Sequence, residues 1–80
     1  MDEELWQRIR IDPKVMVGKP VIRGTRIPAE LVVRMLAEGV PEDDILREYP
    51  HLEPDDIRAA LAYAAQVLAD EDVFPFAIPT

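Results

Sequence analysis

The stretch Pro41-Glu42-Asp43-Asp44-Ile45-Leu46-Arg47-Glu48-Tyr49-Pro50-His51-Leu52-Glu53-Pro54-Asp55-Asp56-Ile57 holds two helix starts. Pro41 with Glu42, Asp43 and Asp44, and Glu53-Pro54 with Asp55 and Asp56, each put proline and acidic residues in a first helical turn. There the unpaired N–H groups and the positive end of the helix dipole favour them. Between the two starts, Ile45, Leu46 and Tyr49 form an inward face, and Pro50 stops the first of the two helices. A short helix, a break from Pro50 to Glu53 and a longer helix make the spacing of a helix-turn-helix. Packed bundles that never touch nucleic acid show the same spacing, so it sets an architecture and leaves the function open.

Downstream, Ile57, Leu61, Ala64 and Leu68 fall on one helical stripe with Ala60 and Val67 beside it, and the many alanines allow a neighbour to approach closely. Upstream, Pro28 to Glu38 reads as another helix, with Leu31, Val32, Met35 and Leu36 as its apolar face and Gly39 placed to end it. The chain is therefore expected to be mainly α and trihelical, with a short N-terminal β element. In that element Arg8-Ile9-Arg10-Ile11-Asp12 alternates as a strand that buries Ile9 and Ile11. Val15-Met16-Val17, a turn at Gly18-Lys19-Pro20 and Val21-Ile22-Arg23 read as a hairpin or a pair of extended segments. The organisation is an acidic leader over 1–7, one domain over 8–69 with its β arm at 8–27, and an extended tail over 70–80. Trp6 is read as a packing anchor, within the chain or across a dimer.

Eighty residues allow one core, and a core of that size is marginal unless a second copy adds buried area, so a homodimer is expected. An unpaired strand edge points the same way. The chain has no Cys, Ser or Asn and a single histidine, His51, which rules out Ser-His-Asp, Cys-His and His-rich zinc constellations within one chain. No catalytic residue, cofactor site or metal site is expected; the pairs Asp43-Asp44 and Asp55-Asp56 read as helix starts, and Gly18-Lys19 as a turn lacking the context of a phosphate loop. No basic-then-apolar leader or long apolar run is present, so the expectation is a cytoplasmic chain with no membrane partner.

The net charge of −7 hides a split. From Arg8 to Arg34 seven bases face two acids, whereas from Met35 to Thr80 two bases face eleven acids. The first half suits a polyanion or an acidic protein, and the second half repels one. Arg10, Lys14, Lys19, Arg23 and Arg26 are the candidate contacts to a partner or to nucleic acid; guanidinium groups suit carboxylates and phosphates alike. The alternative for Arg23 and Arg26 is pairing with Asp12 or Glu30. A recognition helix starting with Glu53, Asp55 and Asp56, offset only by Arg58, would repel phosphates, so any DNA contact falls to the basic arm. In the tail, Phe74, Phe76 and Ile78 alternate on an extended segment that proline keeps out of a helix, a shape suited to an apolar groove on a partner or on the chain itself.

Gly18-Lys19-Pro20-Val21-Ile22-Arg23-Gly24-Thr25-Arg26-Ile27, followed by Leu36-Ala37-Glu38-Gly39, Tyr49-Pro50, Asp56-Ile57 and Ala60 to Ala64, closely resembles the bacterial domain-of-unknown-function family 433. The resemblance spans roughly Arg8 to Leu68; Val17 stands where members commonly carry glycine. It implies a homeodomain-like or winged-helix-like trihelical fold. It also implies the role proposed for the family, a VapB-type antitoxin beside a PIN-like nuclease toxin, a role that needs no active site. The rival readings are a helix-turn-helix transcriptional regulator and a structural dimerisation module.

Overall fold

The computed structural model describes residues 3–71. Helix α1 spans Glu3–Trp6, strand β1 Ile9–Arg10 and strand β2 Val21–Ile22. Three more helices follow: α2 over Ala29–Ala37, α3 over Glu42–Glu48 and α4 over Pro54–Asp70. The domain is thus mainly helical with a small antiparallel ribbon, in which Ile9 faces Ile22 and Arg10 faces Val21. The described chain has four helices rather than three, because the segment read as an acidic leader supplies α1. Leu5 is buried, and Trp6 meets Tyr63 of α4 edge to face at 5.9 Å between ring centroids, so the aromatic anchor acts within the chain.

Each long helix begins and ends for a local reason. Ala29 N–H, at the start of α2, donates to the Pro20 carbonyl at 2.9 Å, so the upstream loop satisfies one of the first-turn donors. At its end Gly39 takes a φ of +87°, and the N–H groups of Gly39 and Val40 donate to Leu36 and Met35. That closure leaves the left-handed position to glycine. Asp44 and Ile45 N–H groups both donate to the Pro41 carbonyl, opening α3. At α4, Pro54 takes the first helical position and Asp56 Oδ2 accepts the Glu53 N–H at 2.8 Å. The core joins Ile22 of β2, Ala29 and Val32 of α2, Ile45 of α3, Leu52 of the turn, and Ile57 and Ala60 of α4.

Three expectations need correction. Val15 to Val17 is not a strand; Met16–Gly18 is a tight turn in the left-handed region, with positive φ at Met16, Val17 and Gly18. The reversal starts earlier than Gly18, at Asp12-Pro13: Asp12 Oδ1 accepts the Lys14 N–H and Asp12 O accepts the Val15 N–H, both at 2.9 Å. Because β1 stops at Arg10 ahead of that turn, Ile11 does not join Ile9 in the core but stays 57% exposed. The stripe on α4 is also shifted. Asp56, Ile57, Ala59 and Ala60 are buried, while Leu61, Val67 and Leu68 are exposed. At 17 residues α4 is nearly twice as long as α2, so its second half extends beyond the core that α2 and α3 build against it.

Val17 has φ +56° and ψ +39° and is 95% exposed, a costly placement for a β-branched side chain. Val17→Gly is expected to raise stability by about 1 kcal/mol, the relief of strain outweighing the added freedom of the unfolded chain. A thermal melt reads this as a midpoint several degrees higher; an unchanged or lower midpoint would mean that Val17 is not strained. Among the described residues no helix is long and apolar enough to cross a membrane.

Candidate interface on the basic arm

Between β2 and α2 the chain makes a short, heavily bonded loop. Gly24 takes φ +79°, and a Cβ built there would meet nothing within 4 Å, so the glycine serves backbone conformation alone. Thr25 Oγ1 donates to the Ile22 carbonyl at 2.7 Å and accepts the Ile27 N–H at 3.0 Å. The Ile22 N–H donates in turn to the Ile27 carbonyl at 2.9 Å. These bonds fix the loop that carries Arg23 and Arg26, both exposed. Thr25→Val keeps the side chain's shape and removes both hydroxyl bonds. It is expected to cost about 1 kcal/mol in denaturant unfolding, with Thr25→Ser retaining most of the stability; a Val variant as stable as the parent would show the clamp to be idle.

The charges around this loop are already partly committed. Asp12 is taken by Arg10 at 3.2 Å. Glu30 is taken by Lys19 at 3.4 Å and by Arg34 at 3.6 Å. The two carboxylates that the sequence offered to Arg23 and Arg26 therefore serve other cations, and among the described residues Arg23, Arg26 and the Lys14 ammonium make no ion pair. Arg10 and Arg26 share the lining of a shallow pocket of about 360 Å³ with Val15, Val21, Gly24 and Thr25. Lys19 departs from the group. It lies on the rim of a separate groove of about 470 Å³ between α2 and α4, lined mainly by Val33, Ala37, Ala60, Tyr63, Ala64 and Val67.

Arg8 plays a part the sequence did not suggest. Its guanidinium donates to Asp56 at 3.0 Å and to Glu53 at 3.3 Å, tying the ribbon to the first turn of α4. The hydrogen bond to Asp56 raises the Arg8 guanidinium above its ordinary range, Glu53 adds to this, and burial works against it. The spacing Glu53-x-x-Asp56 is the available signal for half of this arrangement, since an acid three residues after a helix cap reaches back to the cap's N–H. Asp44 pairs with Arg47 and Asp55 with Arg58, each within a single helical turn. No group of three or more His, Cys, Asp or Glu among the described residues is placed to hold a metal. His51 is exposed in the turn between α3 and α4. Phe74, Phe76 and Ile78 lie outside the described residues.

The family model described as a protein of unknown function (DUF433) matches residues 9–64. The chain belongs to this family. All five arm cations lie inside the matched region, whereas α1 and the last turns of α4 lie outside it. Within DUF433, a crystal structure at 2.00 Å of a member from Anabaena variabilis superposes with a TM-score of 0.73 at 32% identity, covering 86% of this chain and 79% of that one. An uncharacterized protein of Archaeoglobus fulgidus is 62% identical over 29 residues, which are 36% of this chain and 81% of that protein. The uncharacterized protein y4eO of Sinorhizobium fredii is 38% identical over 52 residues; these are 65% of this chain but only 24% of y4eO, so this chain matches a minor part of that longer protein.

Proposed function

We propose that the chain is a non-catalytic binding protein of the antitoxin kind, which neutralises a PIN-like nuclease by setting Arg23 and Arg26 against the carboxylates that hold the nuclease's metal. The observation that carries this reading is the pair of exposed arginines on a rigid loop whose nearby acids are already taken by other cations. A fixed guanidinium loses little freedom on pairing, and its planar fork matches a carboxylate in two bonds. Arg10, paired with Asp12, lies beside Arg26 in the shallow pocket.

The same arginines suit DNA phosphates, which is the regulator reading. In helix-turn-helix order α4 stands in the recognition position, yet its start exposes the acids Glu53 and Asp55, and Arg58 is tied to Asp55 at 3.2 Å. That end favours a protein counterpart for the arm. Co-expression with the product of the adjacent gene, followed by copurification, tests the proposal. Arg23→Ala with Arg26→Ala is expected to weaken the complex by about tenfold or more while the melting curve stays put. Retention of the partner by the arm variant, or loss of DNA binding with the partner still held, would refute it in favour of a different contact face or of phosphate recognition.

A further inference from the structure

The second half of α4 is chemically unlike the rest of the chain. Ala59 to Ala69 contains no charged residue, in a protein of which 31% is charged. Beyond the side that packs on the domain, Arg58, Leu61, Ala65 and Leu68 are all exposed, Leu61 by 45% and Leu68 by 64%. Their separations of three, four and three residues keep them on one face, the seam along which two helices pack side by side. Glu71 follows three residues on, as the extended residue that closes the helix at the edge of this face.

This seam is complementary to itself. It is basic at one end (Arg58) and acidic at the other (Glu71), with a leucine next to each and small Ala64 and Ala65 at its centre. Two copies crossing antiparallel at those alanines bring Leu61 of each against Leu68 of the other, and Arg58 of each against Glu71 of the other. Such a match is what a two-fold interface requires, the same patch meeting itself in reverse. Glu71 makes no ion pair among the described residues, and Arg58 has only the exposed Asp55 within its own helix turn. We infer that α4 pairs antiparallel with α4 of a second copy through Arg58, Leu61, Ala65, Leu68 and Glu71. The pairing uses neither Arg23 nor Arg26 and stands independently of the proposed function.

Sedimentation equilibrium on the full chain tests the inference, with helicity followed by circular dichroism. The parent is expected to sediment at twice its 9.1 kDa chain mass, and Leu61→Gln with Leu68→Gln to sediment as a monomer of unchanged helicity. Arg58→Glu and Glu71→Arg are each expected to weaken the dimer by about tenfold, and the two together to restore it. The restoration is specific to an antiparallel pair. A parent that stays monomeric at about 100 µM, a concentration that detects affinities of about 1 mM and tighter, would overturn the inference. So would a dimer that survives the double leucine change, a combined charge reversal that fails to restore it, or a dimer lost only on deleting residues 72–80.

Discussion

Ile22→Ala is expected to remove about 3 kcal/mol of stability and to lower the melting midpoint by roughly 12 to 24 °C. Ile22 is fully buried and sits where the ribbon, the Thr25 loop and the three-helix core meet. Its backbone is held from two sides, by pairing with Ile9 and by the bond from its N–H to the Ile27 carbonyl. Little can move in to fill the space left by the side chain, so the cavity persists and its cost is added to the lost burial. A domain of this size has only about 4 to 12 kcal/mol in all, so the variant is expected to be partly unfolded at growth temperature. Ile11→Ala is the matched control. With its side chain mostly in water, its expected cost is under about 0.5 kcal/mol. Equal losses at the two positions would contradict the strand ending at Arg10.

The second large effect is expected at Asp56, the one buried charged residue described. Its carboxylate accepts the Glu53 N–H at 2.8 Å and the Arg8 guanidinium at 3.0 Å. Asp56→Ala leaves the Glu53 N–H without its acceptor and strips Arg8 of its shorter bond, at an expected cost of about 2 kcal/mol in urea unfolding. Asp56→Asn keeps an oxygen for the Glu53 N–H and is expected to lose about half as much. If the bond to Arg8 matters, Arg8→Ala costs less in the Asp56→Ala background than in the parent. Strict additivity of the two changes would remove Arg8 from the account.

The helices were legible because their signals are local. Pro28, Pro41, Pro54 and the acids after the last two mark starts, Gly39 and Pro50 mark ends, and the starts of α2, α3 and α4 and the ends of α2 and α3 lie within a residue or two of those marks. The ribbon was legible only in part. Alternation favoured Ile9 and Ile11 equally, and what separates them is the Asp12 turn, whose bonds bring the strand to an early end. Val15 to Val17 looks like a strand by composition, yet the partner of β2 is β1, and the segment between them is spent on reversing direction. The arm is a basic run in sequence, but five cations in a run do not make one face. Lys19 turns toward Glu30, Arg10 toward Asp12, and Arg23 and Arg26 are left open. Arg8, counted only as a base, finds its partners 45 and 48 residues away, a distance that no local pattern encodes.

The central proposal is that the arm, and not α4, is the face that meets a nuclease. The most direct measurement is the rate of RNA cleavage by the proposed PIN-like nuclease partner as this protein is titrated into it, with the parent, Arg23→Ala/Arg26→Ala and Arg47→Ala compared side by side. Arg47 is the control because it lies on α3, away from the arm, and pairs with Asp44. The account predicts stoichiometric inhibition by the parent and by Arg47→Ala, and a loss of about tenfold or more in inhibition by the arm variant. Inhibition by the arm variant equal to the parent's would contradict it.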